Sequence, residues 1–160
     1  MKKLNRIAVG TKNGSIKIFC LKTGTKLEEL LEHTGGVCSL AFMNGTSILV
    51  SAGDMGCCRV ITWDFEKEHS GNFMSILPRK HSAAVTSVLD LQDGKHIVSG
   101  SFDSTFNVYN GKSKDLVCST SGNEKIAEIL LLKNLGSKSS IGKNSICLVV
   151  GHLSNALSVW

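Results

Sequence analysis

The side chains with the most chemical potential are His81, Ser99 and Asp103. They have the residue types of a nucleophilic triad: a hydroxyl to attack, an imidazole to take its proton and a carboxylate to orient the imidazole. A serine used that way often stands in a sharp G-x-S-x-G turn, and none surrounds Ser99. The same three types also make a buried hydrogen-bond network, which is the ordinary use of polar groups in a core. His33, with Ser51 and Asp54 downstream, sets out the types a second time.

Metal and cofactor chemistry find less support. Cys20, Cys38, Cys57, Cys58, Cys118 and Cys147 contain no C-x-x-C pair, and most fall inside apolar strand patterns. Buried, reduced thiols are therefore expected. With no export signal visible at the N-terminus, they imply a reducing intracellular compartment, cytoplasm or nucleus. Cys57 and Cys58 are expected on a strand with side chains on opposite faces, which opposes joint metal ligation. His69, His96 and His152 lack ligand partners in the sequence, and Gly35-Gly36 reads as a connector rather than a phosphate loop. No catalytic residue, metal or cofactor is expected.

The chain of 160 residues carries 18 Lys and Arg against 13 Asp and Glu, a formal charge of +5. A solvated, mildly cationic surface accounts for this, and RNA binding is the alternative it leaves open. The longest apolar runs, 129–132 and 146–150, fall far short of the roughly 20 residues that cross a bilayer. No membrane partner is expected.

Short strands must position all of these side chains. Gly10, Gly100 and Gly151 each stand nine residues before an aromatic, Phe19, Tyr109 and Trp160, and Trp63-Asp64 fills the remaining slot ten residues after Gly53. The aromatics lie 44, 46 and 51 residues apart, the period of an array of small antiparallel sheets. The extra residue after Gly53 predicts a β-bulge in the Trp63 copy. Asn44-Gly45 and Asp93-Gly94 predict tight two-residue hairpins, and Asn13-Gly14 and Asn110-Gly111 supply similar turns. Every connection is local, so each unit reads as a four-stranded meander.

With these residues in register, the chain resembles the WD-repeat β-propellers. His81, Val85-Thr86-Ser87-Val88, Asp93-Gly94-Lys95, Val98-Ser99-Gly100-Ser101, Asp103 and Tyr109 follow the family pattern, and His33 to Trp63-Asp64 is a second copy. Glu32 and Lys80 stand where the family has glycine before the histidine. The resemblance implies an all-β fold of about four blades, roughly 6–31, 33–77, 81–120 and 124–160, with a polar insertion loop at 133–144. It also implies that His81, Ser99, Asp103 and Tyr109, with His33 and Trp63 in the second copy, form a structural hydrogen-bond network. Tyr109 stands in for tryptophan there, with its hydroxyl as the donor. Asn13 and Ser154 fill the Asp103 place in the outer copies, which are expected to rely on packing instead.

Family members commonly dock partners on the face where turns crowd around the central channel. Here that face would present Lys12, Met55, Arg79, Lys80 and Phe102, with Met55 and Phe102 as apolar anchors and the cations as a steering rim. The first and last blades each lack a strand, giving fourteen strands in sheets of three, four, four and three. An open arc of this kind is expected to be completed by further blades of a parent chain, by another subunit or by a second copy. The function implied is a non-catalytic scaffold that holds a protein or peptide in a larger intracellular assembly.

Overall fold

Period-two alternation broken every few residues by Asn, Asp and Gly gives strands too short to stand alone, so each must pair with its chain neighbour. The computed structural model describes residues 5–66, 73–78, 81–133, 146–154 and 156–159. Among them are fourteen strands and no helix. The first sheet holds β1 (Arg6–Gly10), β2 (Ser15–Cys20) and β3 (Lys26–Leu31). The second holds β4 (Val37–Phe42), β5 (Ile48–Gly53), β6 (Val60–Asp64) and β7 (Met74–Ile76). The third holds β8 (Val85–Asp90), β9 (His96–Ser101), β10 (Thr105–Asn110) and β11 (Leu116–Ser121). The fourth holds β12 (Ile126–Lys133), β13 (Ile146–His152) and β14 (Leu157–Val159). All neighbours run antiparallel in sequence order, so each sheet is a meander. Of the expected insertion loop, Lys133 closes β12 and the rest lies outside the described residues.

The sheets stack face to face and the core lies between them. Ile16, Ile18 and Leu30 meet Leu49, Ile61 and Trp63 between the first and second sheets. Val50, Val60 and Leu77 meet Val85, Ile97 and Tyr109 between the second and third, and Val98 and Phe106 meet Ile126, Ile129 and Val150 between the third and fourth. A central strand is therefore covered on both faces, and β5 is buried along its whole length. Polar bonds stitch the sheets where their first strands adjoin: Ser39 Oγ accepts from the Val88 amide at 3.1 Å, and Thr86 Oγ1 donates to the Ile126 carbonyl at 2.9 Å.

Several local expectations are corrected. The Asn44-Gly45 and Asp93-Gly94 turns are four-residue loops, closed by Met43 N–H to Ile48 O and Leu91 N–H to His96 O, both at 3.0 Å. Only their glycines and Gln92 take left-handed φ. Around Asn110-Gly111 the left-handed residue is Lys114, not the glycine. The bulge predicted between β5 and β6 is absent: pairing runs unbroken from Ile48↔Asp64 to Ala52↔Val60, and the added residues sit in the connecting turn.

Candidate functional site

The polar network forms in the third sheet. His81 precedes β8, Ser99 is on β9, Asp103 is in the β9–β10 turn and Tyr109 is on β10. His81 Nδ1–H points at Asp103 Oδ2, 3.1 Å away, with Thr105 Oγ1 at 2.9 Å, and Ser99 Oγ donates to His81 Nε2 at 2.8 Å. Burial alone would raise the Asp103 carboxyl's pKa, but three hydrogen bonds and the electrostatic pull of the neighbouring His81 ring hold it below its usual value. Those bonds come from the Thr105 hydroxyl at 2.6 Å, the Ser82 amide at 2.8 Å and the Thr105 amide at 2.9 Å. His81 and Ser99 are buried against the second sheet, which makes this set a clasp on the turn rather than an open nucleophile. The Tyr109 hydroxyl accepts here: Asn107 Nδ2 donates to it at 3.0 Å and lies 3.1 Å from His81 Nε2. Asn107, fully buried, is a further network member that the sequence reading did not include.

In the second sheet His33 and Trp63 meet as expected, but a different residue closes the network. His33 Nε2 lies 2.7 Å from Ser51 Oγ, which also accepts from Trp63 Nε1 at 2.9 Å. His33 Nδ1 meets the Cys57 thiol at 3.1 Å. Asp54, expected beside His33 in this role, instead clasps two loops: its carboxylate accepts from the Gly36 amide at 2.7 Å and the Gly56 amide at 2.9 Å. Counting back six residues from the aromatic leads to Cys57 before Trp63 and to Asp103 before Tyr109, so the aromatic, not Gly53, is the marker to count from. Burial pushes His33 down to about 4, with Asp54 opposing and Arg59 adding to the shift. The imidazole is therefore neutral at physiological pH.

The cysteines depart from expectation in two ways. Cys57 and Cys58 are buried in the β5–β6 turn, not on a strand, and Cys58 takes a left-handed φ of 52°. Cys38, at the register shift between Val37 and Ser39, and Cys118, on the outermost strand of its sheet, are exposed, and Cys20, the last residue of β2, is half-buried. No group of three or more metal-ligating side chains occurs among the described residues. His96 bonds Asp93 in the β8–β9 turn at 2.5 Å, and His152 Nε2 lies 2.9 Å from Ser158 Oγ.

The turn-rich end of the sheets carries three of the five proposed partner residues. Lys12 is exposed on the β1–β2 turn and Met55, 74% exposed, is on the β5–β6 turn. Those turns join through residues 33–37: Thr11 O accepts from Val37 N–H at 3.0 Å, Gly36 O from Asp54 N–H at 2.8 Å, and Gly56 O from Thr34 Oγ1 at 2.9 Å. Phe102 occupies the matching turn of the third sheet but is half-buried, its amide donating to Ala84 O at 3.0 Å. Arg79 and Lys80 lie outside the described residues, as do His69 and Trp160.

Stacked antiparallel meanders, the two four-stranded ones each clasped by a histidine and serine beside a strand-end aromatic, define a WD-repeat propeller segment. The chain belongs to that family: the WD domain, G-beta repeat matches residues 24–64 and 71–110, half of the sequence. Each match begins at the outermost strand of one sheet and ends at the third strand of the next, so every repeat ties two sheets covalently. Human apoptotic protease-activating factor 1 is 29% identical over 119 residues, covering 72% of this chain and 9% of that protein. Human WD repeat and SOCS box-containing protein 1 is 38% identical over 94 residues, 58% of this chain and 21% of that protein. Its Xenopus tropicalis counterpart is 42% identical over 72 residues, 44% and 16% respectively. The chain thus spans about a fifth or less of the length of the relatives it matches. No helix among the described residues is long and apolar enough to cross a membrane.

Proposed function

We propose that this chain is a non-catalytic scaffold module that holds a protein or peptide at its turn-rich end. Repeats of this family generally serve as protein-interaction scaffolds, and the similarity to a protein whose name joins WD repeats to a SOCS box supports a role as one module of a larger assembly. The observation that carries the reading is Met55. It is a large apolar side chain held out to solvent by a turn that Asp54 locks to its neighbour, and such a residue gives binding area at little ordering cost. Lys12 on the adjoining turn suits an acidic rim on the partner. Leu31 and Leu157, exposed on the outward faces of the first and fourth sheets, favour completion of the ring by further blades.

The test compares proteins retained from cells by the wild-type chain and by Met55→Asp and Lys12→Glu variants of unchanged thermal stability. Selective loss of partners with the Met55 variant is expected; an unchanged set would sink the docking assignment. Tight RNA retention that falls steeply with salt and weakens on Lys12→Glu would replace the protein partner with RNA.

A further inference from the structure

One edge of β1 pairs with no strand among the described residues. In an antiparallel ladder alternate residues bond the partner strand, and the residues between them turn their amide and carbonyl to the opposite side. Leu21 N–H bonds Asn5 O at 2.8 Å and Thr11 N–H bonds Ser15 O at 3.0 Å, so the odd-numbered residues of β1 face β2. Arg6, Ala8 and Gly10 therefore direct their backbone groups to the open edge, and such an edge is a template for an added strand.

The other sheets show what this edge holds. Gly10↔Ile16 corresponds to Ala52↔Val60, Gly100↔Phe106 and Gly151↔Leu157, so β1 corresponds to β5, β9 and β13. Those three strands carry β4, β8 and β12 on the same edge. Ser39 stands opposite Ala52 and Ser87 opposite Gly100, each followed by two apolar residues, Leu40-Ala41 and Val88-Leu89. The Ser39 hydroxyl reaches forward to the next sheet, where it accepts from the Val88 amide at 3.1 Å.

Leu40 holds the Val88 position of the second sheet, since it pairs with Ser51 as Val88 pairs with Ser99. Met43 N–H bonds Ile48 O at 3.0 Å, so Ala41 and Ser39 face β5 and the Leu40 amide faces away from it. No described residue of the first sheet gives Leu40 the acceptor that Ser39 gives Val88. Leu40 and Arg6 of β1 line one cavity, of about 860 Å³. An open strand edge and an inward amide in neighbouring sheets thus fit one extended segment. All fourteen strands are already paired in their own sheets, so neither they nor those of a second copy supply it.

We infer that this edge takes an extended segment of a partner protein as a strand antiparallel to β1. The segment carries a serine opposite Gly10, bonded to the Leu40 amide, and two apolar residues after it. Hydrogen exchange of the 160-residue chain, resolved by NMR, tests this with an excess of a peptide copying Ala84–Leu91. Exchange at the Ala8 and Gly10 amides is expected to slow at least about tenfold, the size of one hydrogen bond. The same peptide N-methylated at its serine and at the leucine two residues on cannot form the ladder and should leave both amides fast. Leu40 should slow with the serine peptide and not with a peptide carrying alanine there. Met55→Asp should leave every effect intact, so this edge and the Met55 surface stand or fall separately. Protection of Ala8 and Gly10 before peptide is added, equal protection by the N-methylated peptide, no protection by either, or a Leu40 amide indifferent to the serine would overturn the assignment.

Discussion

The Cys57 thiol meets His33 Nδ1 at 3.1 Å in the slot where, one sheet later, the Asp103 carboxylate meets His81 Nδ1 at the same distance. The two partners impose opposite proton positions. An ionised carboxylate only accepts, so His81 carries its proton on Nδ1 and takes the Ser99 proton on Nε2. In the second sheet Ser51 Oγ already accepts from Trp63 and sends its own proton to the Ile61 carbonyl at 3.4 Å. His33 therefore donates from Nε2, and its bare Nδ1 accepts from the thiol.

Long-range proton–nitrogen spectra of the imidazoles check this directly. His33 is expected as the Nε2–H tautomer and His81 as the Nδ1–H tautomer at neutral pH. Cys57→Asp should convert His33 to the His81 pattern, and Cys57→Ala should cost about 1–2 kcal/mol. Identical tautomers in the wild type would refute the reversed network.

Acid acts on the two clasps in different windows. Folded His33 resists protonation until about pH 4, whereas an unfolded histidine takes up a proton near 6.5. Between those values the unfolded chain binds more protons, so stability is intact above about pH 6.5 and declines as pH falls toward 4. Asp103, held below its usual 3.8, contributes stability that is present above that value and lost only as pH drops further. Urea titrations from pH 7.5 to 4 should show the decline, and His33→Gln should flatten it. A wild-type slope retained in that variant would show that another group titrates.

Ser99 separates the structural role from a catalytic one. Its hydroxyl is buried on His81, so Ser99→Ala is expected to lower unfolding free energy by about 1–3 kcal/mol in denaturant melts. A variant as stable as the wild type would reopen the nucleophile reading.

Repetition and fold class were legible because the nine-residue glycine-to-aromatic interval survives in three of the four copies and the fourth is off by one, and the sheets follow from it. The network was half legible. Asp103 stands six residues before Tyr109 and Cys57 six before Trp63, whereas matching residue types selected the nearby carboxylate Asp54 and passed over the thiol. Residues added to a turn leave the strand register intact but move everything counted from the wrong side. Asn107 was hidden for another reason: alternation assumes one wet face, and a central strand packed between two other sheets has none. Exposed Cys38 shows the converse, an apolar type put out to solvent where β4 shifts register between Val37 and Ser39.

Asn107 and Tyr109 replace, as a pair, the Ile61 and Trp63 of the preceding sheet. Tyr109→Trp alone would thrust an indole toward the Asn107 amide, and Asn107→Ile alone would remove the bonds to His81 and Tyr109. Together they restore the preceding sheet's arrangement, with the indole directed at a serine. A double-mutant cycle should therefore give a combined loss smaller than the sum of the single losses, by about 1 kcal/mol or more. Strict additivity would mean the two positions do not act as a unit.

The outward face of the first sheet repeats a contact surface. Ile7 pairs with Phe19 as Leu49 does with Trp63 and Ile97 with Tyr109. Leu49 and Ile97 are 1% and 0% exposed against the sheet before them, yet Ile7 is 48% exposed, with Leu31 at 72% nearby. On the fourth sheet Leu157 is 73% exposed. Faces built like this gain by covering one another, so the isolated 17.2 kDa chain is expected to self-associate in sedimentation experiments as concentration rises. Leu31→Glu and Leu157→Glu should each shift it toward monomer without lowering its melting temperature, since neither side chain packs in the inter-sheet cores. A wild-type chain that stays monomeric at high concentration would show that these faces are tolerated bare, and would remove the ground for ring completion by further blades.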